Sequence, residues 1–252
     1  MGVVKKIMSK IFAANWKMYL NEEESIDFIS KMSSNKDLFA DKKVMIFPSH
    51  TALSSVKNAL QNMPNIKVGM QDCDIKLSGA VTGSNSISSI PVDSCIVGHS
   101  ERRIIFKEDE KIVKKKLENS LQAVENTILC IGETLEEKNQ DKTFEVVDKQ
   151  LSILPSALNG KKLIIAYEPV WAIGTGLVAS NDYIAEVLSY INNAIKSLYF
   201  DEVLSEINLF YGGSVDESSV ESLSTIPLLD GFLIGSASAD FKKFENILKK
   251  MR

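Results

Sequence analysis

Leu163-Ile164-Ile165-Ala166-Tyr167-Glu168-Pro169-Val170-Trp171-Ala172-Ile173-Gly174-Thr175-Gly176 is the stretch from which the rest of the chain can be read. The apolar run Leu163 to Ala166 has the length and character of a buried strand. Pro169 has no N–H and a fixed φ, so it ends the ladder just after Glu168. A carboxylate therefore stands at a strand exit. The residues beyond it are apolar, yet they lie between a strand stop and the glycines Gly174 and Gly176. Such a segment (Pro169, Val170, Trp171, Ala172, Ile173, Gly174, Thr175 and Gly176) can move as a unit and exclude water when shut. A lone strand-end Glu is most simply half of a surface salt bridge. The attached apolar loop favours a general base beneath a lid.

Working outward, the same strand pattern recurs. Strands are expected at Ile11 to Lys17, Val44 to Phe47, Ile66 to Gln71, Ser94 to Gly98, Ile128 to Ile131, Leu163 to Tyr167, Leu209 to Tyr211 and Gly231 to Ile234. Between them come helical patterns. Glu22 to Met32 has Ile26, Ile29 and Met32 on one face. Leu53 to Leu60 follows the second strand. Asp109 to Glu125 carries Ile112, Val113, Leu117, Leu121 and Val124, and its Lys111, Lys114, Lys115 and Lys116 read as a solvated face. Thr134 to Leu154 reads as one charged amphipathic helix. Ser180 caps a helix bearing Ile184, Val187, Leu188, Ile191 and Ile195. Short helices are expected at Glu217 to Leu223 and Phe241 to Lys250. Asp72 to Asn85 is too polar for a core element. Strict β/α alternation gives a parallel sheet with right-handed crossovers. Eight units in 252 residues fit a single-domain closed (β/α)8 barrel. An open doubly wound sheet is the alternative.

Composition narrows the function classes. The chain is 44% apolar and 25% charged, with a net charge of −4 and a pI near 5.4. Nothing there suggests nucleic acid or an anionic membrane. No apolar run approaches the roughly 20 residues of a spanning helix. Residues 1–10 read as a frayed basic extension of a domain spanning 1–252. Cys73, Cys95 and Cys130 have no metal spacing and suit a reducing cytoplasm. With only His50 and His99, a site needing several imidazoles is nearly excluded.

In a barrel the chemistry lies at the C-terminal strand ends. The first strand brings Asn15 and Lys17, two apart and on one side. An inward lysine needs an anion to balance it; the alternative is that it lies past the strand in water. The fourth brings His99, and the sixth Glu168, together a plausible acid–base pair. Glu101 is the natural partner of Lys17, while Arg102 and Arg103 suit an interface or an anion. The seventh and eighth strands lead into Gly212-Gly213-Ser214 and Gly235-Ser236, where N–H groups can approach a phosphate. Gly174 from the lid could add one more.

Asn15-Trp16-Lys17-Met18, His99-Ser100-Glu101-Arg102-Arg103, Cys130-Ile131-Gly132-Glu133, Tyr167 to Gly176 and Tyr211-Gly212-Gly213-Ser214 together resemble the triosephosphate isomerase family. The resemblance runs from Ile11 to the end. It implies the family's TIM barrel and a reaction between dihydroxyacetone phosphate and D-glyceraldehyde 3-phosphate, with no metal or organic cofactor. Glu168 would be the base, His99 the proton carrier, and Lys17 with Asn15 the stabilisers of an enediolate. Asn15, Lys17 and the N–H groups of Gly174, Ser214, Gly235 and Ser236 would hold the substrate. The segment Gln71 to Gly83 would project into a second copy, giving a homodimer with Met18, Gln71, Thr82, Glu101 and Arg102 at the contact. Three positions depart from the pattern, and the segment Phe106-Lys107-Glu108-Asp109 after Arg103 looks one residue short. Ser236 stands where a second glycine is usual, Leu177 where lysine is common, and Asp72 where asparagine is frequent. Two other readings compete: a Schiff-base aldolase built on Lys17, and an inactive barrel kept for binding.

Overall fold

The structure, a computed structural model, describes residues 10–174, 177–199 and 201–251. Thr175 and Gly176 of the lid stretch and residues 1–9 lie outside them. The strands are β1 (Ile11–Asn15), β2 (Lys43–Phe47), β3 (Ile66–Met70), β4 (Ser94–Val97), β5 (Asn126–Ile131), β6 (Lys162–Tyr167), β7 (Ile207–Tyr211) and β8 (Gly231–Ile234). They pair in parallel in chain order, and β8 returns to β1 through Ile11↔Gly231 to Ala14↔Ile234. The sheet is thus a closed barrel, and the open doubly wound alternative is set aside.

Alternation along each strand sorts the core into two parts. Ala13, Met45, Phe47, Ile96, Ile128, Cys130, Ile164, Ala166, Phe210 and Leu233 fill the barrel interior as one cluster. Their neighbours, among them Phe12, Ala14, Val44, Ile46, Leu129, Ile165 and Phe232, face the helices in a second, larger cluster. The period of two then fixes what lies at the barrel mouth. Asn15 is one step beyond Ala13, Glu168 one step beyond Ala166, Gly212 one step beyond Phe210 and Gly235 one step beyond Leu233.

The helices form for local reasons as well. Asn21 accepts the Glu24 N–H at 2.9 Å and Glu24 returns the bond to Asn21, a capping box for the helix Glu22–Ser34. Ser180 accepts the Tyr183 N–H at 3.2 Å and starts the helix Asn181–Leu198. Its stripe of Ile184, Val187, Leu188, Ile191 and Ile195 is wholly buried. At roughly 1.5–3 kcal/mol per large apolar side chain, that face rather than helix propensity docks the helix. Among the described residues no helix is long and apolar enough to cross a membrane.

Two helix readings are corrected. The expected helix Thr134 to Leu154 is two helices, Leu135–Asn139 and Thr143–Leu151. Asp141 between them has φ of 56°, which no α-helix accommodates. Lys116 does not belong to a solvated face. It is buried, with its ammonium 2.7 Å from both Asp72 Oδ2 and Glu108 Oε1. Arg102 bridges the same two carboxylates, at 3.2 Å from Asp72 Oδ2 and 2.5 Å from Glu108 Oε1. Asp72 therefore joins a cluster of two cations and two anions. Its charge is balanced within the chain, although burial still pushes its carboxyl pKa upward against the pull of Lys116.

Candidate active site

The barrel mouth opens into a cavity of about 510 Å³. Asn15, Lys17, His99, Glu168, Gly174, Ser214, Gly235 and Ser236 all line it. Residues from five strand ends and from the segment expected to form a lid thus meet in one space.

Glu168 is 2% exposed. Its Oε2 accepts the Ser100 N–H at 3.1 Å. Oε1 has no hydrogen-bond partner among the described residues and lies 3.3 Å from His99 Nε2. A buried oxygen without a donor is costly unless a ligand uses it. The space around Glu168 exists because the strands on either side offer glycine. A Cβ at Gly212 would sit 2.8 Å from Glu168 Cγ, and one at Gly132 would sit 1.8 Å from the Glu168 carbonyl oxygen.

His99 follows β4 and caps the short helix Ser100–Ile104. Its Nδ1 accepts the Glu101 N–H at 3.2 Å. That bond leaves Nδ1 as acceptor, so in this assignment the ring proton is on Nε2, the nitrogen facing Glu168.

Lys17 lies in the left-handed region, with φ of 50°. Such backbone persists only where its surroundings enforce it. Asn15 Oδ1 accepts the Lys17 N–H at 3.1 Å, and Gln71 Nε2 donates to the Lys17 carbonyl at 2.8 Å and to Phe47 O at 3.0 Å. Gln71, expected at a subunit contact, is thus engaged inside its own chain. The Lys17 ammonium reaches the cavity and pairs with Glu101 Oε1 at 2.5 Å.

The segment expected as a lid begins as a tight turn, Val170–Ala172. Val170 N–H donates to Glu133 O at 3.0 Å, and Ala172 N–H to Pro169 O at 2.8 Å. Trp171 and Ala172 are buried, and Gly174 is left-handed with φ of 68°. The Ser214 hydroxyl donates to the Ala172 carbonyl at 2.8 Å, tying the lid to the loop after β7. Ser236 starts the short helix Ser236–Ala239 with a negative φ. Helical dihedrals are open to any residue, so serine there costs the backbone nothing.

Several cavity residues carry no signal in the sequence. Tyr19, Asp216 and Lys243 also line it, and the Ser100 N–H that holds Glu168 is a backbone group. Of the expected contact residues, Met18 is 95% exposed on the rim, and Thr82 is exposed in the polar loop. Arg102 stacks over the Phe106 ring at 4.0 Å. Among the described residues, no group of three or more His, Cys, Asp or Glu side chains comes together as a metal site.

Comparison with known proteins agrees in extent. The family described as "Triosephosphate isomerase" matches residues 10–251. The triosephosphate isomerase of Clostridium tetani is 38% identical over 244 residues, covering 94% of this chain and 95% of its own. That of Bdellovibrio bacteriovorus is 38% identical over 246 residues, covering 95% and 99%. That of Geotalea uraniireducens is 36% identical over 245 residues, covering 95% and 97%. The chain belongs to the triosephosphate isomerase family.

Proposed function

We propose the following division of labour at the barrel mouth for the family's reaction. The chain is an aldose–ketose isomerase acting on a triose phosphate, dihydroxyacetone phosphate to D-glyceraldehyde 3-phosphate. Glu168 takes a proton from the carbon beside the substrate carbonyl, and the carbonyl oxygen gains charge. His99, donating from Nε2, bonds that oxygen and carries a proton between the two oxygens of the enediolate. Glu168, now protonated, returns its proton to the neighbouring carbon. The Lys17 ammonium, with Asn15, stabilises the negative charge while it exists. The N–H groups of Gly174, Ser214, Gly235 and Ser236 hold the phosphate, and the segment Pro169 to Gly176 closes over it to exclude water.

One observation supports this reading above the others. Glu168 is buried with an unpartnered oxygen next to the proton-bearing nitrogen of His99, in a cavity that also holds an ammonium. Lys17 has a carboxylate at 2.5 Å, the opposite of the apolar setting that a Schiff-base lysine needs. A binding-only barrel has no use for the unpartnered oxygen. The test is a coupled assay for glyceraldehyde 3-phosphate, wild type against Glu168→Ala. General base loss should lower kcat by roughly 100- to 10,000-fold; equal rates would refute the assignment of Glu168.

The same reading extends to the whole chain, taken as one domain working in the cytoplasm as a homodimer. The exposed Met18 and Phe106 support the last point, since they line one hollow with Lys17 and Glu101.

A further inference from the structure

Glu133 lies behind the lid and is fully buried. No cation is within ion-pair range of it among the described residues. Three neutral donors converge on it instead. Trp171 Nε1–H reaches Oε1 at 2.7 Å, Tyr183 Oη–H reaches Oε1 at 2.8 Å, and Tyr167 Oη–H is 3.1 Å from both oxygens. Burial and the Glu133 charge push the Tyr167 hydroxyl pKa far up and that of Tyr183 to about 12, so both remain donors at any working pH. The indole of Trp171 and the ring of Tyr183 meet edge to face, with centroids 5.8 Å apart.

Lys138 sits over this pair. Its Nζ is 4.1 Å from the Trp171 ring centroid and 5.2 Å from that of Tyr183. The lysine is aimed by its own short helix, Leu135–Asn139. Thr134 and Glu137 form a capping box that fixes the helix start, with Glu137 Oε2 accepting the Thr134 N–H at 2.8 Å. Lys138 makes no ion pair among the described residues. Its charge is therefore directed at the aromatic faces and, beyond them, at the buried Glu133 carboxylate.

We propose that Lys138 is a positioning residue for the reaction, latching Trp171, and with it the lid hinge, in the ligand-free position. The inference rests on the reading of Pro169 to Gly176 as a lid. Trp171 is gripped from below by a hydrogen bond to Glu133 and from above by a cation. The lower bond anchors the indole N–H. The upper contact acts on the ring face, which must turn if Val170 to Ala172 moves. Weakening the cation leaves the carboxylate bond intact but lowers the cost of leaving the resting position. Closure then competes better, and a substrate analogue binds more tightly. A cation–π contact at a half-buried site is worth a factor of about two to five.

The chain has two tryptophans, Trp16 and Trp171, so protein labelled with 5-fluorotryptophan gives two fluorine resonances. Trp16 is fully buried under Phe28 and serves as the folding control. Glycerol 3-phosphate, a non-reacting analogue of the substrate, is the ligand. In wild type it should move the Trp171 resonance and leave Trp16 in place. A Trp171 signal indifferent to the analogue would overturn the lid reading itself. In Lys138→Met the ligand-free Trp171 resonance should shift, the analogue should bind about two- to fivefold more tightly, and KM should fall with it while kcat changes less. Lys138→Arg should restore the wild-type values. If wild type responds to the analogue but Lys138→Met leaves the Trp171 resonance and the affinity unchanged, the lid stands and the latch is refuted.

Discussion

Glu168 is held in place largely by absent atoms. Gly132 and Gly212 flank it just past the ends of β5 and β7, and either would collide with it if it carried a Cβ. Gly212→Ala tests this at the scale of one methyl group. The new Cβ, 2.8 Å from Glu168 Cγ, must displace the carboxylate rather than the sheet. A shift of about 1 Å at a reacting group costs on the order of 100-fold. The variant should lose roughly that much kcat/KM in the coupled assay while its thermal midpoint stays close to wild type. A fully active Gly212→Ala would mean that Glu168 is not confined in this way. At this scale the sequence was informative about which side chains gather, because strand ends and a period of two pick out Asn15 and Glu168, while Lys17 lies past the end of β1 with left-handed backbone. It was silent on the Ser100 N–H, the Nε2 tautomer of His99 and the inward turn of Gln71. Those depend on where a backbone amide points after the chain leaves β4, and on a left-handed Lys17 that no residue type announces.

Between residue and barrel, the connecting segments set the rim. Asp216 opens the turn after β7 by accepting three bonds at Oδ1: Ser218 Oγ–H at 2.7 Å and the N–H groups of Ser218 and Ser219 at 2.9 Å. The Ser218 hydroxyl foremost, then Ser219 and the two amides, hold its carboxyl below the ordinary 3.8, against a smaller opposing effect of burial. A depressed folded pKa contributes stability above the unfolded value, and that contribution is lost as pH falls through the lower folded value. Asp216→Ala should therefore be less stable than wild type to denaturant at pH 7. The gap should narrow as pH drops below about 4, where the unfolded chain takes up the Asp216 proton before the folded protein does. A gap that stays constant from pH 7 to 3.5 would assign the effect to something other than ionisation. Elements of this size were only half legible. The stripe Ile184 to Ile195 and its Ser180 cap could be read directly, since burial and capping both act through residue type. The break at Asp141 could not, because aspartate is unremarkable in a helical pattern and only its φ of 56° shows the turn.

At the scale of the molecule, eight strand–helix units fit a barrel that the β8–β1 pairing closes, but the units do not say what covers the outer rim. Met18 is 95% exposed, Ile105 67% and Phe106 59%, and Ile75, Leu77 and Ile104 are also bare. These residues belong to the loops after β1, β3 and β4, which the barrel order places along one side of the mouth. Apolar side chains gathered in this way mark a contact surface. A contact there would fall beside the cavity, because a second hollow of about 250 Å³ joins Met18 and Phe106 to Asn15, Lys17, Gln71, Glu101 and Arg102. The exposed part of the polar loop, which includes Thr82, would be the segment to enter such a hollow on another copy. A stable contact buries about 800 Å² on each partner. Sedimentation at micromolar protein should thus give about twice 27.9 kDa. Phe106→Glu removes the ring on which Arg102 stacks and adds a charge to the apolar face. It should shift the chain toward monomer, and kcat should fall with dimer content as Lys17 and Glu101 lose their cover. A wild-type chain that sediments as a monomer at full activity would show that the barrel mouth is complete without a second copy.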